Sequence, residues 1–141
     1  MRAATGDLLR SASVSSIQVA DQTFVAAPGA AVAAALAGPN RWRNWWPDLE
    51  LDVREDRGDK GIRWSVRGAL TGTMEVWLEP SLDGVILHYF LHAEPPQPLP
   101  PRKLAAVVRA RRVAGKTMSF EVKDRLEADR PAGVTPSALT S

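Results

Sequence analysis

A chain of 141 residues that is 45% hydrophobic and 24% charged has the make-up of a globular domain, not of a disordered or fibrous chain. Its length points to one compact core. A net charge of +2 is too small a surplus to draw nucleic acid unless the basic residues cluster, and the absence of cysteine excludes disulfides, thiolate metal sites and a cysteine nucleophile.

The first thirteen residues show no signal-peptide pattern and read as a flexible segment, followed by a domain over 14–130 and a small-residue tail over 131–141. No apolar run reaches the roughly 18 to 20 residues needed to span a bilayer, so a cytoplasmic protein without an integral membrane segment is expected. "VSSIQVADQTFVA" (14–26) reads as a strand. Ile17 and Val19 share one parity and Phe24 has the other, which predicts a bulge between them. "PGAAVAAALAG" (28–38) predicts a short helix between Pro28 and Gly38. A second, from Pro39 or Asn40 to Pro47, would carry Trp42, Trp45 and Trp46, three of the five tryptophans.

Four strands are then predicted by period-two alternation. Leu49, Leu51 and Val53 lead to the turn "EDRGDKG"; Ile62, Trp64 and Val66 end at Gly68; Leu70, Met74, Val76 and Leu78 end at Pro80. The turn "SLDG" opens a hairpin into Val85, Leu87, Tyr89 and Leu91. The proline-rich "EPPQPLPPR" stops the sheet. Residues 102–129 predict one long helix with Leu104, Val108, Arg111, Gly115, Met118, Val122 and Leu126 on one face. "TMSFEV" (117–122) also alternates with period two, but the charge pairs of "EVKDRLEADR" favour the helix.

Three segments carry a family resemblance. "QTFVAAPGAAVAAAL" is similar to a first strand running into "APPEEV" and a helix. "RWRNWWPDLEL" is similar to an aromatic "W-x-x-W-P" block leading to the second strand, and "FEVKDRLE" to a terminal helix ending "LKDRLE". Over about residues 14 to 129 the chain resembles the START-like (SRPBCC) superfamily, and within it the bacterial polyketide cyclase/dehydrase-like branch. The resemblance implies an α+β helix-grip fold, a curved antiparallel sheet wrapped on the C-terminal helix. The family sheet usually has six or seven strands, whereas five are expected here.

The resemblance also implies a cavity between sheet and helix that takes a hydrophobic small molecule, such as a lipid, a polyketide or another aromatic. Alternation assigns its lining to Trp64, Met74, Val76, Leu87, Tyr89 and Leu91, and the helix face adds Leu104, Val108 and Arg111. Trp42 and Trp46 are expected at the mouth, as core packing or as a lid, with Arg41 and Arg43 facing water. A base-stacking platform would need exposed rings in a basic groove. The basic run "RKLAAVVRARR" lacks interleaved aromatics, so no nucleic-acid partner is expected.

Tyr89 is either a core tyrosine with a satisfied hydroxyl or one that addresses a ligand. Arg111 either points to a ligand carboxylate or enolate, or pairs with a protein acid. These two are the acid–base candidates for the enzyme alternative, an aromatase/cyclase, and no inward carboxylate or histidine is expected beside them. No metal spacing or cofactor motif is present. His88 and His92 share the outward face with Trp77, roughly 13 Å apart along one strand and too far apart to ligate one metal. That face, with Phe90 and Ile86, also fits a protein-interaction or homodimer surface.

Overall fold

A computed structural model describes residues 15–128. The chain runs β1 (Ile17–Val25), α1 (Gly29–Leu36), α2 (Pro39–Trp45), β2 (Leu49–Asp56), a 3-10 turn (Gly58–Lys60), β3 (Gly61–Gly68), β4 (Thr71–Ser81), β5 (Gly84–Glu94) and α3 (Pro101–Glu127). The flexible ends expected over 1–13 and 131–141 lie outside the described residues.

All five strands form one antiparallel sheet in the order β1-β5-β4-β3-β2, so the first strand pairs with the last and β1 and β2 are the edges. The alternation sorts the two faces as expected. Ile62, Trp64, Val66, Met74, Val76, Leu78, Val85, Leu87, Tyr89 and Leu91 are buried, while Arg63, Arg67, Trp77 and His92 are exposed on the other side. Gly115, Met118, Ser119 and Val122, spaced by one, three and four, are the buried residues of α3. A strand over 117–122 would put Met118 and Ser119 on opposite faces, so helical spacing resolves that segment.

Two local expectations are corrected. The register of β1 on β5 runs unbroken from Ile17↔Ala93 to Val25↔Val85, without the bulge predicted to bury Phe24. Phe24 stays on the outer face, and Asp21 and Thr23, which share the parity of Ile17 and Val19, turn inward instead. Trp46 lies beyond the end of α2, at its cap, with φ −134° and ψ 70°. It therefore does not follow the helical 100° spacing from Trp45.

The long helix is fastened along β1. Lys116 Nζ lies 2.7 Å from Asp21 Oδ2 and 3.2 Å from Thr23 Oγ1, and reaches the Gln22 carbonyl at 3.4 Å. Two turns further on, Lys123 Nζ donates to the Phe24 carbonyl at 2.9 Å and to Glu127 Oε2 at 3.1 Å; Glu127 in turn accepts from the Ala26 N–H at 2.7 Å. At the other side, α1 packs on the β2–β3 turn so closely that a Cβ at Gly29 would stand 2.6 Å from the Asp59 carbonyl oxygen.

Candidate ligand site at the aromatic end of the grip

The tryptophan block folds inward. Trp46 is 1% and Trp45 8% exposed, and Trp42 is partly buried. Trp42 and Trp46 both meet Trp64 edge to face, with centroids 5.5 and 5.8 Å apart, and Trp46 lies parallel to Tyr89 at 6.1 Å. The Trp42 N–H donates to the Leu36 carbonyl at 2.6 Å, which ties α2 back to α1. Arg41 does the same through Ala35 at 2.8 Å, so it does not simply face water; Arg43 is exposed as expected.

Beneath these rings the expected lining is brought together on one face, but it is closed. Trp64, Met74, Val76, Leu87, Tyr89 and Leu91 have no accessible surface, so no water-sized void borders them. The α3 residues differ along their length. From Gly115 to Val122 the inward face is sealed, whereas Leu104, Val107 and Val108 towards one end and Leu126 at the other only border the core and stay partly exposed. Open space flanks the core at both sides. A cavity of about 230 Å³ lies between α1 and the β2–β3 turn, with Leu36 and Ile62 among its lining. Another of about 190 Å³ is lined by Ser16, Glu94, Pro95, Pro98, Leu99 and Leu104. Of the expected lining residues, only Leu104 borders either one.

Arg111 resolves its alternatives toward a protein acid. Its guanidinium holds Asp48 with two bonds of 2.9 and 2.7 Å, joining the middle of α3 to the α2–β2 connection. The Arg111 hydrogen bond keeps the Asp48 carboxyl below its usual range. Tyr89 is completely buried with its hydroxyl unpartnered. Burial pushes the phenol far above its usual value, opposed by the Arg111 charge and by the nearby Trp46 N–H. That N–H approaches the hydroxyl without meeting hydrogen-bond geometry. The Trp64 N–H also lacks a partner among the described residues.

Sequence reasoning missed two carboxylates. Asp48 clasps Arg111, and Asp21, the register partner of Tyr89, points inward. The second was legible in principle, because unbroken alternation from Ile17 reaches Asp21. On the outer face, Trp77 stacks on His88 at 4.5 Å, His88 lies parallel to Phe90, and His88 Nε2 pairs with Glu79 at 2.9 Å. No group of three or more His, Cys, Asp or Glu among the described residues is placed to hold a metal ion. No described helix is long and apolar enough to cross a membrane.

A curved five-stranded antiparallel sheet gripping one long C-terminal helix, with two short helices after the first strand, is the START-like helix-grip fold, and this chain has it. Solved structures of the same shape include the Aha1 dimer from Colwellia psychrerythraea, with TM-score 0.58 at 13% identity, covering 82% of this chain and 99% of that one. The di-domain ARO/CYC StfQ from the steffimycin biosynthetic pathway gives 0.58 at 16%, covering 84% of this chain and 52% of that one. A START superfamily protein from Mycobacterium smegmatis gives 0.50 at 15%, covering 73% and 98%. No family model and no curated protein matches the sequence.

Proposed function

We propose that the protein binds a hydrophobic small molecule between the sheet and the N-terminal half of α3, beside Trp42, Trp46 and Trp64. The observation that carries this is the uneven seating of the helix. Its apolar stripe is sealed from Gly115 to Val122 but left partly exposed at Leu104, Val107 and Val108, next to the aromatic block. A helix serving only the core would seal its whole apolar face. Here the half that is not sealed is held to the α2–β2 connection by the Arg111–Asp48 clasp. The ligand class follows from the apolar lining, and the shared fold of StfQ and the START superfamily protein supports it. The closed centre means that binding displaces packed rings and does not fill a ready-made cavity.

The test is titration with the apolar fluorophore N-phenyl-1-naphthylamine. Saturable enhancement is expected, weakened by Val108→Asp at a partly buried position and altered by Trp64→Ala. Non-saturable or absent enhancement in the folded protein overturns the proposal.

A second reading, acid–base chemistry on the bound molecule as in an aromatase/cyclase, is favoured by one observation. Asp21, the register partner of Tyr89, forms an inward ion pair of 2.7 Å with Lys116. Loss of turnover of a poly-β-ketone substrate in Asp21→Asn, with probe binding retained, would support it; turnover unchanged by that variant would remove it.

A further inference from the structure

The aromatic cluster holds more donors than acceptors. The N–H groups of Trp46 and Trp64 and the Tyr89 hydroxyl lie on side chains no more than 1% exposed, without a hydrogen-bond partner among the described residues. Buried polar groups of this kind are ordinarily paired. An indole N–H can only donate. Were the Trp46 N–H to turn onto the phenol oxygen, the Trp64 N–H would still lack an acceptor, and the inward carboxylate across from Tyr89, that of Asp21, is already ion-paired with Lys116. The three rings are contiguous, with Trp46 5.8 Å from Trp64 and 6.1 Å from Tyr89.

The charge beside the cluster is balanced. Arg111 acts on the phenol electrostatically, yet its guanidinium is held bidentately by Asp48. A carboxylate brought here would meet no free counter-charge and would lose its hydration. A neutral carbonyl needs only donors, and it finds them. We propose that the ligand is an uncharged, largely apolar carbonyl compound whose oxygen is seated on the Trp46 and Trp64 N–H groups and the Tyr89 hydroxyl. The inference rests on the hydrophobic-ligand reading above and adds the chemistry of the ligand's polar end. Trp42, only partly buried and hinged on α2, is the ring whose displacement exposes Trp64.

The test uses two probes of nearly the same shape, 2-acetylnaphthalene and 2-ethylnaphthalene, titrated into the full chain. The ketone is expected to bind roughly five- to tenfold more tightly, the size of one or two neutral hydrogen bonds. Tyr89→Phe, which removes only the hydroxyl, is expected to lower ketone affinity several-fold more than it lowers hydrocarbon affinity, and Trp64→Phe, which also trims apolar contact, to weaken both probes but the ketone more. Wild-type protein supplies a readout that does not depend on the variants folding. In 1H–15N spectra the ketone should move the indole N–H signals of Trp46 and Trp64 downfield, and the hydrocarbon should not. Equal affinities for both probes, or a bound ketone that moves no indole signal, overturn the carbonyl seat and leave the hydrophobic-ligand reading standing. If neither probe binds, both are overturned.

Discussion

The ring edge of Tyr89 comes so close to Gly115 that a Cβ on that residue would overlap Cδ2 and Cε2. Glycine inside a 27-residue helix is unfavourable by about 1 kcal/mol relative to alanine. The close approach of strand and helix offsets that cost. Gly115→Ala is therefore expected to destabilise the protein by about 1–3 kcal/mol despite its better helix propensity. Pairing it with Tyr89→Leu, which removes the obstructing ring edge, should recover part of the loss measured for the two changes separately. Denaturant unfolding of the two single variants and the double variant checks this. Additive losses would show that the two residues do not meet.

The buried phenol should be silent to alkali until the fold opens. Tyr89 is the only tyrosine, so absorbance near 295 nm reports it alone. Its folded-state value is raised, which favours the neutral form in the native protein. The stability this provides is complete below the unfolded value of about 10 and falls as pH rises above it. Phenolate should appear together with loss of helical circular dichroism. Ionisation near pH 10 in a protein still folded would contradict the burial.

The Asp48–Arg111 clasp has the opposite pH dependence. The Asp48 pKa is lowered in the native state, so its contribution is present at neutral pH and is lost as pH falls below about 3.9. Asp48 is 53% exposed, which limits the contribution to about 1 kcal/mol. Asp48→Asn should be less stable than wild type at pH 7 and converge with it at pH 2 to 3. Probe release should also quicken, because the clasp holds the unsealed half of α3.

Leu82 stands at the tip of the β4–β5 hairpin with φ 50° and is 95% exposed. A side chain there gains nothing from burial and strains the backbone by about 1 kcal/mol. Leu82→Asn, a residue that tolerates the left-handed conformation, should raise stability by several tenths to about 1 kcal/mol. Thermal unfolding measures it, and an unchanged or lower midpoint would argue against strain at this tip.

Trp46→Ala should cost about 3 to 5 kcal/mol, as expected for a buried tryptophan, and Trp45→Ala only slightly less because its ring is 8% exposed. Trp42→Phe keeps most of the ring and loses the bond to the Leu36 carbonyl, a change of about 1 kcal/mol. Trp42→Phe should in addition accelerate release of N-phenyl-1-naphthylamine, which stopped-flow fluorescence measures.

Much of this architecture was legible from local pattern. Period-two runs such as Ile62, Trp64 and Val66 placed strands and faces, because side chains on a pleated sheet alternate whatever lies beyond it. The helix stripe through Gly115, Met118 and Val122 overrode the strand-like "TMSFEV". What failed were pairings decided by docking. Asp48 and Arg111 are 63 positions apart, and nothing in either neighbourhood encodes how far α3 tilts toward the α2–β2 connection. Asp21 was lost for a different reason. A bulge was invoked to bury Phe24, but that ring is served on the outer face by Lys123, whose ammonium lies 5.8 Å from it. An apolar residue out of phase was weighted above an acid in phase. Trp46 leaves the helix at its cap, a departure that no sequence period signals, and Trp45 and Trp46 are both buried.

The lysines of α3 have a consequence for how copies of this chain can meet. An open sheet has two free borders, and each is a template for another strand. Along β1 that template is spoiled, since Lys116 and Lys123 reach the Gln22 and Phe24 carbonyls and the helix they come from stands beside the strand. Along β2 the register slips between Val53 and Glu55, and the border there is a run of exposed charge from Asp52 to Asp56 apart from Val53. Strand-by-strand growth into fibres is thus obstructed at both borders of the sheet.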